Sequence, residues 1–338
     1  MSLLNLWPAL PLGWKTGSCV GLLAMLLSAC PPAQKAQNNP NDKPLSSASP
    51  SSEFPPGSDT PLLTYGKELL LNTPKHLGPA AEKPELRLAS SNLSCVSCHL
   101  NGGKSLTAMG FAGIAQRYPR YRALENRTIS LSERINSCFE RSLNGKTLPQ
   151  RESAALTAYL IWLSDTAPQP DKRADLQEPL LPSIQLLDRA ANPQTGAKLY
   201  QYHCAACHGA KGQGLYKDPQ APQLGFTFPP VAGAQSYGQG SNLNRLSIAA
   251  RYIQANMPLG RPVLSAEEAF DIAAFMNSLE RPLLASPEQD YPDRKQKPFD
   301  VPYPPYADAF SAEQHQLGPF KSMLPPASSP EKVRPASP

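Results

Sequence analysis

The chain has 338 residues, of which 39 are proline and 17% are charged, and its formal net charge at pH 7 is +5. This length accommodates two ordinary domains, and the proline content predicts irregular or extended stretches between small helical domains. The charge is modest and shows no runs of lysine and arginine. It therefore argues against a nucleic-acid-binding protein and favours an anionic substrate or an acidic partner.

The first segment, residues 1–30, is predicted to be a signal peptide of the bacterial lipoprotein type. Lys15 supplies a weak positive charge, residues 20–27 are apolar, and the letters LSAC ending at Cys30 resemble a lipobox, in which the cysteine is lipidated. A membrane-spanning helix is the competing interpretation, but the apolar run is shorter than the ~20 residues that such a helix needs. We expect residues 31–60, rich in proline and serine, to be a flexible tether.

Two short motifs of the form C-x-x-C-H follow, at residues 95–99 and 204–208. In this motif two cysteine thiols bond covalently to the edge of a haem, and the adjacent histidine ligates the iron. A zinc site is the weaker alternative, because no separate Cys/His pair is available to complete either site. We therefore predict two covalently bound haem c groups, the first on Cys95, Cys98 and His99 and the second on Cys204, Cys207 and His208. Because c-type haem is attached outside the cytoplasm, we expect a periplasmic protein that is held at a membrane by its lipid anchor only.

The first haem domain is predicted to span residues 61–167. A leading helix near residues 66–70 precedes the first motif, and a closing helix starts near Pro149 or Gln150. The closing helix carries an apolar stripe at helical spacing, formed by Leu156, Tyr159, Leu160 and Leu163. This order of elements is that of a small class I cytochrome c domain, in which a distal ligand of the iron lies between the motif and the closing helix.

Cys138 is the one cysteine that neither the signal segment nor the two motifs account for. The first domain has no methionine where the distal ligand is expected, since Met109 lies only ten residues past His99, whereas Cys138 lies 39 residues past it. We predict that Cys138 is the distal ligand of the first haem. The alternatives are a buried, inert cysteine and an intermolecular disulfide.

Basic and hydroxyl side chains accompany Cys138 at helical spacing. Arg134 lies four residues before it, Arg141 three after and Ser142 four after, so the four residues share one helical face. On that face they are predicted to donate to the sulfur, to lower the pKa of the thiol and to hold a small oxyanion. Arg120 and Arg122, in the same region, are predicted to be solvated surface residues.

The second haem domain is predicted to span residues 191–281, after a linker over residues 168–190. A leading helix around Gly196 precedes the second motif, and a closing helix begins after Ser265, with Glu268 completing a capping box. Met257, 49 residues past His208 and followed by proline, is the predicted distal ligand of this electron-transfer haem. Met276 is the rival, but it belongs to the apolar face of the closing helix.

The last segment, residues 282–338, is predicted to be a Pro-rich strap. Its aromatic residues indicate that part of it docks on the domains; these are Phe299, Tyr303, Tyr306, Phe310 and Phe320. The predicted fold is therefore mainly α, with two class I cytochrome c-like haem domains in tandem, joined by a linker, and an extended Pro-rich C-terminal segment.

The run from Arg134 to Gly145, together with the first haem motif, resembles the thiosulfate dehydrogenase (TsdA) family of dihaem cytochromes c. Stretches of the tail, residues 297–302 and 305–311, resemble the C-terminal segment of that family. The resemblance implies oxidation of two thiosulfates to tetrathionate, with two electrons passed to a soluble or membrane-linked cytochrome c-type acceptor, and in some members the reverse reaction. It also implies that Cys138 is the distal ligand of the catalytic haem, that Arg134 and Ser142 contact the substrate, and that Met257 ligates the electron-exit haem.

One position departs from the family pattern. In some relatives a lysine before the distal methionine competes for the iron, whereas this chain has Asn256 there. Asparagine is a poor iron ligand, so we expect His208 and Met257 to ligate the second haem in both redox states. Two other functions stay open, a dihaem electron carrier without enzymatic activity and a dihaem cytochrome c peroxidase. The peroxidase is disfavoured because the predicted pocket is basic and lacks an obvious acid/base glutamate.

Overall fold

A computed structural model describes residue 54, residues 57–169 and residues 180–324. The predicted signal peptide, most of the tether, residues 170–179 of the linker and residues 325–338 of the strap lie outside this part of the chain. From Phe54 onward the chain clusters as one unit, so the two halves and the C-terminal segment pack together. Within the described residues, no helix has both the length and the apolar character needed to cross a bilayer.

The described structure is mainly helical, with two short antiparallel hairpins. In the first half the helices are α1 (Thr60–Leu71), α2 (Thr73–Leu77), α3 (Leu131–Ser142) and α4 (Gln150–Thr166), and strands β1 (Arg120–Arg122) and β2 (Arg127–Ile129) pair with Tyr121 opposite Thr128. In the second half the helices are α5 (Pro193–His203), α6 (Ala205–His208), α7 (Leu246–Asn256), α8 (Ala266–Ser278) and α9 (Ala312–Leu317). Strands β3 (Leu215–Tyr216) and β4 (Phe226–Phe228) form the second hairpin.

Short 3₁₀ turns join these elements. They lie at Pro84–Leu86, Cys95–Ser97, Asn101–Gly103, Ala115–Arg117, Pro222–Leu224, Asn242–Asn244, Pro287–Gln289, Arg294–Gln296 and Lys321–Met323. The first haem motif thus begins in a 3₁₀ turn, whereas the second ends in the short helix α6.

Each half is built on two helices that cross closely at a glycine. In the first half α1 packs against α4, and a Cβ atom on Gly66 would overlap the carbonyl oxygen of Ala155. In the second half α5 packs against α8, and a Cβ atom on Gly196 would overlap the carbonyl oxygen of Asp271. In each half, therefore, the leading helix before the motif crosses the closing helix after it.

Replacing Gly66 with alanine is expected to destabilise the protein by about 1–3 kcal/mol, the usual cost of overpacking a closely packed site. Helix propensity alone predicts the opposite sign, because alanine in a helix is favoured over glycine by about 1 kcal/mol. Urea unfolding of the wild-type protein and the Gly66→Ala variant gives the sign directly. An unchanged or higher free energy of unfolding would contradict the close crossing of α1 and α4.

The closing helices start where the sequence predicts them. Helix α4 has Pro149 as its N-cap, and its predicted apolar stripe is buried. Helix α8 begins with the predicted capping box, in which Ser265 Oγ accepts from the Glu268 N–H at 3.2 Å and the Glu268 carboxylate accepts from the Ser265 N–H at 2.9 Å. The helix ends at Ser278, with Leu279 as its C-cap residue.

The C-terminal segment contacts both haem domains. The Tyr291 N–H donates to the Leu124 carbonyl of the first domain at 3.0 Å. Farther along, Asp300 binds Arg245 of the second domain, and Phe320 is buried in the core of that domain beside Phe270. The described part of the strap also contains 3₁₀ turns and helix α9, so it is less extended than its proline content predicts.

Candidate active site

Helix α3 carries the residues that the sequence singles out around Cys138. Its start is set by a capping box, in which Ser130 Oγ accepts from the Glu133 N–H at 3.2 Å and Glu133 Oε2 accepts from the Ser130 N–H at 2.8 Å. Leu131 and Phe139 are buried and orient the helix on the core of the first domain. Because α3 ends at Ser142, Cys138 lies in its last two turns. This end of the helix contacts the second half of the chain, where the Gly238 N–H donates to the Ser142 carbonyl at 3.3 Å.

A mostly apolar cavity lies beside α3; we call it the haem cavity. The space between atoms there, including the part open to solvent, is about 910 Å³. The first motif and Cys138 meet in its wall, through Cys95, Cys98, His99 and Cys138. The rest of the wall is mainly apolar and includes Leu70, Met109, Phe111, Ile114, Leu131, Ile135, Phe139, Leu143, Leu156, Leu160 and Leu180.

Both motif histidines are oriented by a backbone carbonyl. His99 Nδ1 lies 2.5 Å from the carbonyl oxygen of Met109, and His208 Nδ1 lies 2.7 Å from that of Pro229. A carbonyl oxygen only accepts hydrogen bonds, so Nδ1 carries the proton and Nε2 keeps the lone pair for a metal. Metal-ligating histidines in proteins adopt this arrangement. Together with the unpaired motif thiols and the apolar cavity, it fits covalently attached haem.

The two methionines considered for the second haem occupy different positions. Met257 follows α7 directly, as its C-cap residue, and packs against the hydrophobic cores of both domains. Met276 lies within α8 and packs against the second core, as expected for a residue of the apolar face. Ligation of the second iron by His208 and Met257 stays a prediction.

The Cys138 thiol is more acidic than an ordinary cysteine. Burial by itself would raise its pKa, but contact with the His99 side chain and the positive charge of Arg134 outweigh burial and lower the pKa to about 6. Iron ligated by both His99 and Cys138 would take the place of their direct contact. Ser142 Oγ also lies 3.9 Å from the Cys138 sulfur, within reach of a weak hydrogen bond. Arg134 and Ser142, which lie four residues before and four after Cys138 on α3, therefore both lie near its sulfur.

A second, polar cavity meets the haem cavity at Cys138; we call it the arginine pocket. It encloses about 660 Å³ between atoms and is lined by four arginines, Arg122, Arg134, Arg141 and Arg245. Further hydrogen-bonding side chains in its wall are Ser137, Ser142, Gln239, Ser241, Asn242, Tyr291 and Tyr303. The two cavities share one stretch of wall, which includes Cys138 together with Cys98, His99, Met109, Arg134 and Ser142.

Arg141, Arg245 and Arg122 of the pocket each bind a carboxylate. Arg141 makes a bidentate contact with Asp290, at 3.0 Å from Nη1 and 2.6 Å from Nη2. Arg245 binds Asp300 in the same C-terminal segment, and Arg122 binds Glu125 at 3.0 Å. Arg141 lines the pocket as predicted, but its guanidinium is directed at Asp290. This commitment to a carboxylate weakens the expected role of Arg141 as a direct substrate donor.

Sequence reasoning missed several residues of this pocket. Arg122 was expected to be solvated, yet only 16% of its side chain is exposed and it lines the pocket, whereas Arg120 is exposed as expected. Arg245, Tyr291 and Tyr303 lie more than 100 residues from Cys138 in the chain, so no local spacing connects them to it. The one available signal was the aromatic content of the tail, which indicates docking without saying where.

Comparison with known protein families assigns both halves. Residues 86–168 match the family model described as SoxA/TsdA, cytochrome c domain. Residues 191–276 match the family model described as Cytochrome C oxidase, cbb3-type, subunit III. The two matches agree with two cytochrome c domains in tandem, each containing one C-x-x-C-H motif.

Curated relatives named thiosulfate dehydrogenase include proteins from Allochromatium vinosum, Thiomonas intermedia and Psychrobacter arcticus. The first is 36% identical over 245 residues, which cover 70% of this chain and 84% of the relative. The second is 33% identical, over 69% of this chain and 70% of the relative. The third is 35% identical, over 60% of this chain and 61% of the relative.

A solved structure of thiosulfate dehydrogenase (TsdBA) from Marichromatium purpuratum, in its as-isolated form, is similar to this chain with a TM-score of 0.60 and 31% identity. The match covers 70% of this chain, which spans about half of the solved chain, 49% of its length. Because the Allochromatium protein is matched over most of its length and the first domain matches the SoxA/TsdA model, this chain, with its two covalently bound haem c groups, belongs to the thiosulfate dehydrogenase family of c-type cytochrome enzymes.

Proposed function

We propose that the chain oxidises two thiosulfate ions to tetrathionate and passes the two electrons to a one-electron acceptor such as a cytochrome c. The observation that carries this proposal is the position of Cys138. Its sulfur faces the arginine pocket, which suits a small sulfur oxyanion, and also the haem cavity, which suits an electron acceptor. A protein that only carried electrons would have no need for a basic pocket at the ligand of its buried haem.

The residues that would hold the haem groups follow from the motifs and the cavity. Cys95 and Cys98 would bind the first haem covalently, with His99 and Cys138 as iron ligands. The second haem would be held by Cys204 and Cys207, with iron ligands His208 and Met257. When bound, the two haems accept electrons one at a time, and methionine ligation gives the second haem the higher potential, so that it serves as the exit.

Substrate binding depends on charge and hydrogen bonding. The sulfonate oxygens of thiosulfate are acceptors that match the guanidinium of Arg134 and the hydroxyl of Ser142, the two groups placed beside the Cys138 sulfur. Arg141, Arg122 and Arg245 bind Asp290, Glu125 and Asp300. These carboxylates reduce the net positive charge of the pocket. Held this way, thiosulfate presents its terminal sulfur to Cys138.

The sulfur chemistry then takes two steps. In the first, the Cys138 thiolate and the terminal sulfur of thiosulfate form a sulfur–sulfur bond and give up two electrons, which leaves a cysteine S-thiosulfonate. In the second, the terminal sulfur of another thiosulfate attacks the adduct sulfur that is bonded to the Cys138 sulfur. The bond to Cys138 breaks, tetrathionate leaves, and the thiolate is restored. Charge balances in both steps, and no proton is needed. The reverse sequence reduces tetrathionate when electrons are supplied.

The cellular location of the enzyme is part of the same proposal. Attachment of c-type haem outside the cytoplasm and the lipobox ending at Cys30 support a periplasmic enzyme tethered to a membrane by lipid. Mass spectrometry of the mature N-terminus tests this point, because lipidation leaves Cys30 as the first residue with added acyl mass.

The function is tested by incubating the haem-loaded protein with thiosulfate and an artificial one-electron acceptor. Tetrathionate formed at half the molar amount of thiosulfate consumed, with two acceptor molecules reduced per tetrathionate, is the expected result. Reduction of the acceptor without tetrathionate, or no turnover with both haems reducible, would reject the proposal. Turnover with hydrogen peroxide instead would favour a dihaem peroxidase.

Replacing Arg134 with glutamine is expected to lower kcat/KM for thiosulfate by about 10- to 100-fold, the cost of losing one charge-assisted hydrogen bond of roughly 1.5–3 kcal/mol. Arg127→Gln is the matched control, since Arg127 is exposed, does not line the pocket, and pairs with Glu133 in the first turn of α3. Steady-state assays of both variants give the comparison. Equal losses in the two variants would mean that Arg134 contributes only general positive charge.

A further inference from the structure

The last turn of α7 is hydrogen-bonded to the first domain at two points. Tyr252 Oη donates to the carbonyl of Cys98 at 3.1 Å. One turn later, Asn256 Nδ2 donates to the carbonyl of Thr107 at 2.8 Å, and Asn256 Oδ1 accepts from Thr107 Oγ1 at 2.9 Å. Asn256 is 7% exposed and also donates to the Tyr252 carbonyl at 2.9 Å. All of its amide groups are therefore committed within a partly buried network.

This reciprocal pair of hydrogen bonds lies between the ligands of the two haem sites. On one side, Thr107 precedes Met109 by two residues, and the Met109 carbonyl accepts from His99 Nδ1. On the other side, Asn256 directly precedes Met257. A short path of covalent and hydrogen bonds thus runs from the histidine of the first motif to the predicted methionine ligand of the second.

The electronic consequences at the two ends differ in sign. A carbonyl that accepts from Nδ1 makes the imidazole a stronger donor, which stabilises ferric iron and lowers the haem potential. Methionine ligation does the opposite, because it raises the haem potential. Keeping both groups in place widens the potential gap that draws electrons from the first haem to the second.

We propose that Asn256 and Thr107 are positioning residues that hold the Met109 carbonyl on His99 and Met257 on the second iron at the same time. Their hydrogen bonds join the two sides, so that the potentials of both haems depend on one contact between the domains. The inference rests on the ligand assignment made under Proposed function. It gives Asn256, which replaces a competing lysine of some relatives, a role in this chain that needs no ligand exchange.

The test uses four variants of the haem-loaded protein and needs no thiosulfate. Asn256→Leu removes both hydrogen bonds, and Thr107→Val removes the hydroxyl donor at an exposed residue while keeping its shape. Thr107→Ser restores the hydroxyl. Thr166→Val is the matched control, because Thr166 is another exposed threonine of the first domain, bonded only to the Trp162 carbonyl of its own helix among the contacts that the structure gives.

Spectroelectrochemical titration of each variant measures both haem potentials, and the absorption band from methionine bound to ferric iron reports on Met257. In Asn256→Leu we expect at least a tenfold shift of the reduced-to-oxidised ratio at fixed ambient potential, about 59 mV for a one-electron couple. The potential of the second haem falls and its methionine band weakens, while the potential of the first haem rises. Thr107→Val shifts the two haem potentials in the same directions by a smaller amount. Thr107→Ser and Thr166→Val keep the wild-type potentials.

Unchanged potentials in Asn256→Leu and Thr107→Val would overturn the proposal, as would Thr107→Ser behaving like Thr107→Val. If Asn256→Leu does not fold, the comparison of Thr107→Val with Thr107→Ser decides the question. A wild-type protein that lacks the methionine band would reject the ligand assignment and this inference with it. A wild type that forms tetrathionate while the variants keep their potentials would reject the positioning role alone.

Discussion

Replacing Cys138 with alanine is expected to abolish tetrathionate formation, with a loss in kcat of about 10³-fold or more, the scale seen when a covalent nucleophile is removed. The sulfur forms the bond to thiosulfate in the proposed mechanism, and the other cysteine that lines the arginine pocket, Cys98, belongs to the first motif and would be bonded to the haem. Both haems should stay attached, since their thioether bonds come from the two motifs. Product analysis, haem content and the electron paramagnetic resonance spectrum measure these outcomes.

Ser137→Ala provides the control for this variant. Ser137 is the neighbour of Cys138 on α3 and lines the same pocket, and its hydroxyl lies 3.4 Å from Glu125. We expect activity within a few-fold of the wild type and an unchanged signal of the thiolate-ligated ferric haem, whereas Cys138→Ala loses that signal. Retention of a tenth or more of the activity in Cys138→Ala would remove the cysteine from the mechanism.

Replacing Asp300 with alanine is expected to destabilise the protein by about 3–5 kcal/mol, the usual cost of leaving one member of a buried ion pair uncompensated. Asp300 is fully buried and accepts from Arg245 Nε at 2.8 Å, from the Ser247 N–H at 3.2 Å and from the Ser247 hydroxyl. Its loss leaves the half-buried guanidinium of Arg245 and two donors of Ser247 without their acceptor. Thermal unfolding should show a fall in Tm of roughly 6–15 °C.

Two further variants sharpen this experiment. Glu288→Gln changes an exposed carboxylate of the same C-terminal segment and should leave Tm within about 1 °C of the wild type. The double variant Arg245→Met/Asp300→Leu removes both charges and should recover much of the lost stability, because apolar replacement of a buried pair is often neutral. If Asp300→Ala and Glu288→Gln have the same Tm, the C-terminal segment is not anchored through Asp300.

The C-terminal segment has a second connection to the site, through Asp290. Its carboxylate binds the Arg141 guanidinium and also accepts from the hydroxyl of Tyr303, a residue of the pocket wall. The positive charge of Arg141 is thereby neutralised, and its guanidinium is kept in one orientation. The segment thus contributes both a wall and a charge balance to the pocket.

The sequence alone determined those features that depend on neighbours in the chain. Covalent haem attachment needs two cysteines and a histidine within five residues, so both motifs are readable directly. Helical periodicity and capping are equally local, which is why the starts of α4 and α8 and the buried stripe of α4 were predicted correctly. The same periodicity placed Arg134 and Ser142 beside Cys138 on α3.

Only the tertiary structure decided the partners of these groups. Arg141 meets Asp290 across 149 residues, and Asn256 meets Thr107 across the same separation. Such contacts follow from how two domains and a docked segment pack, and no spacing within a helix or a loop encodes them. Arg141 therefore looked like a substrate donor in the sequence and is a paired cation in the fold. The charge of a site is a property of side chains brought together by packing, whereas the cysteine that we propose to react could be identified from its position in the sequence.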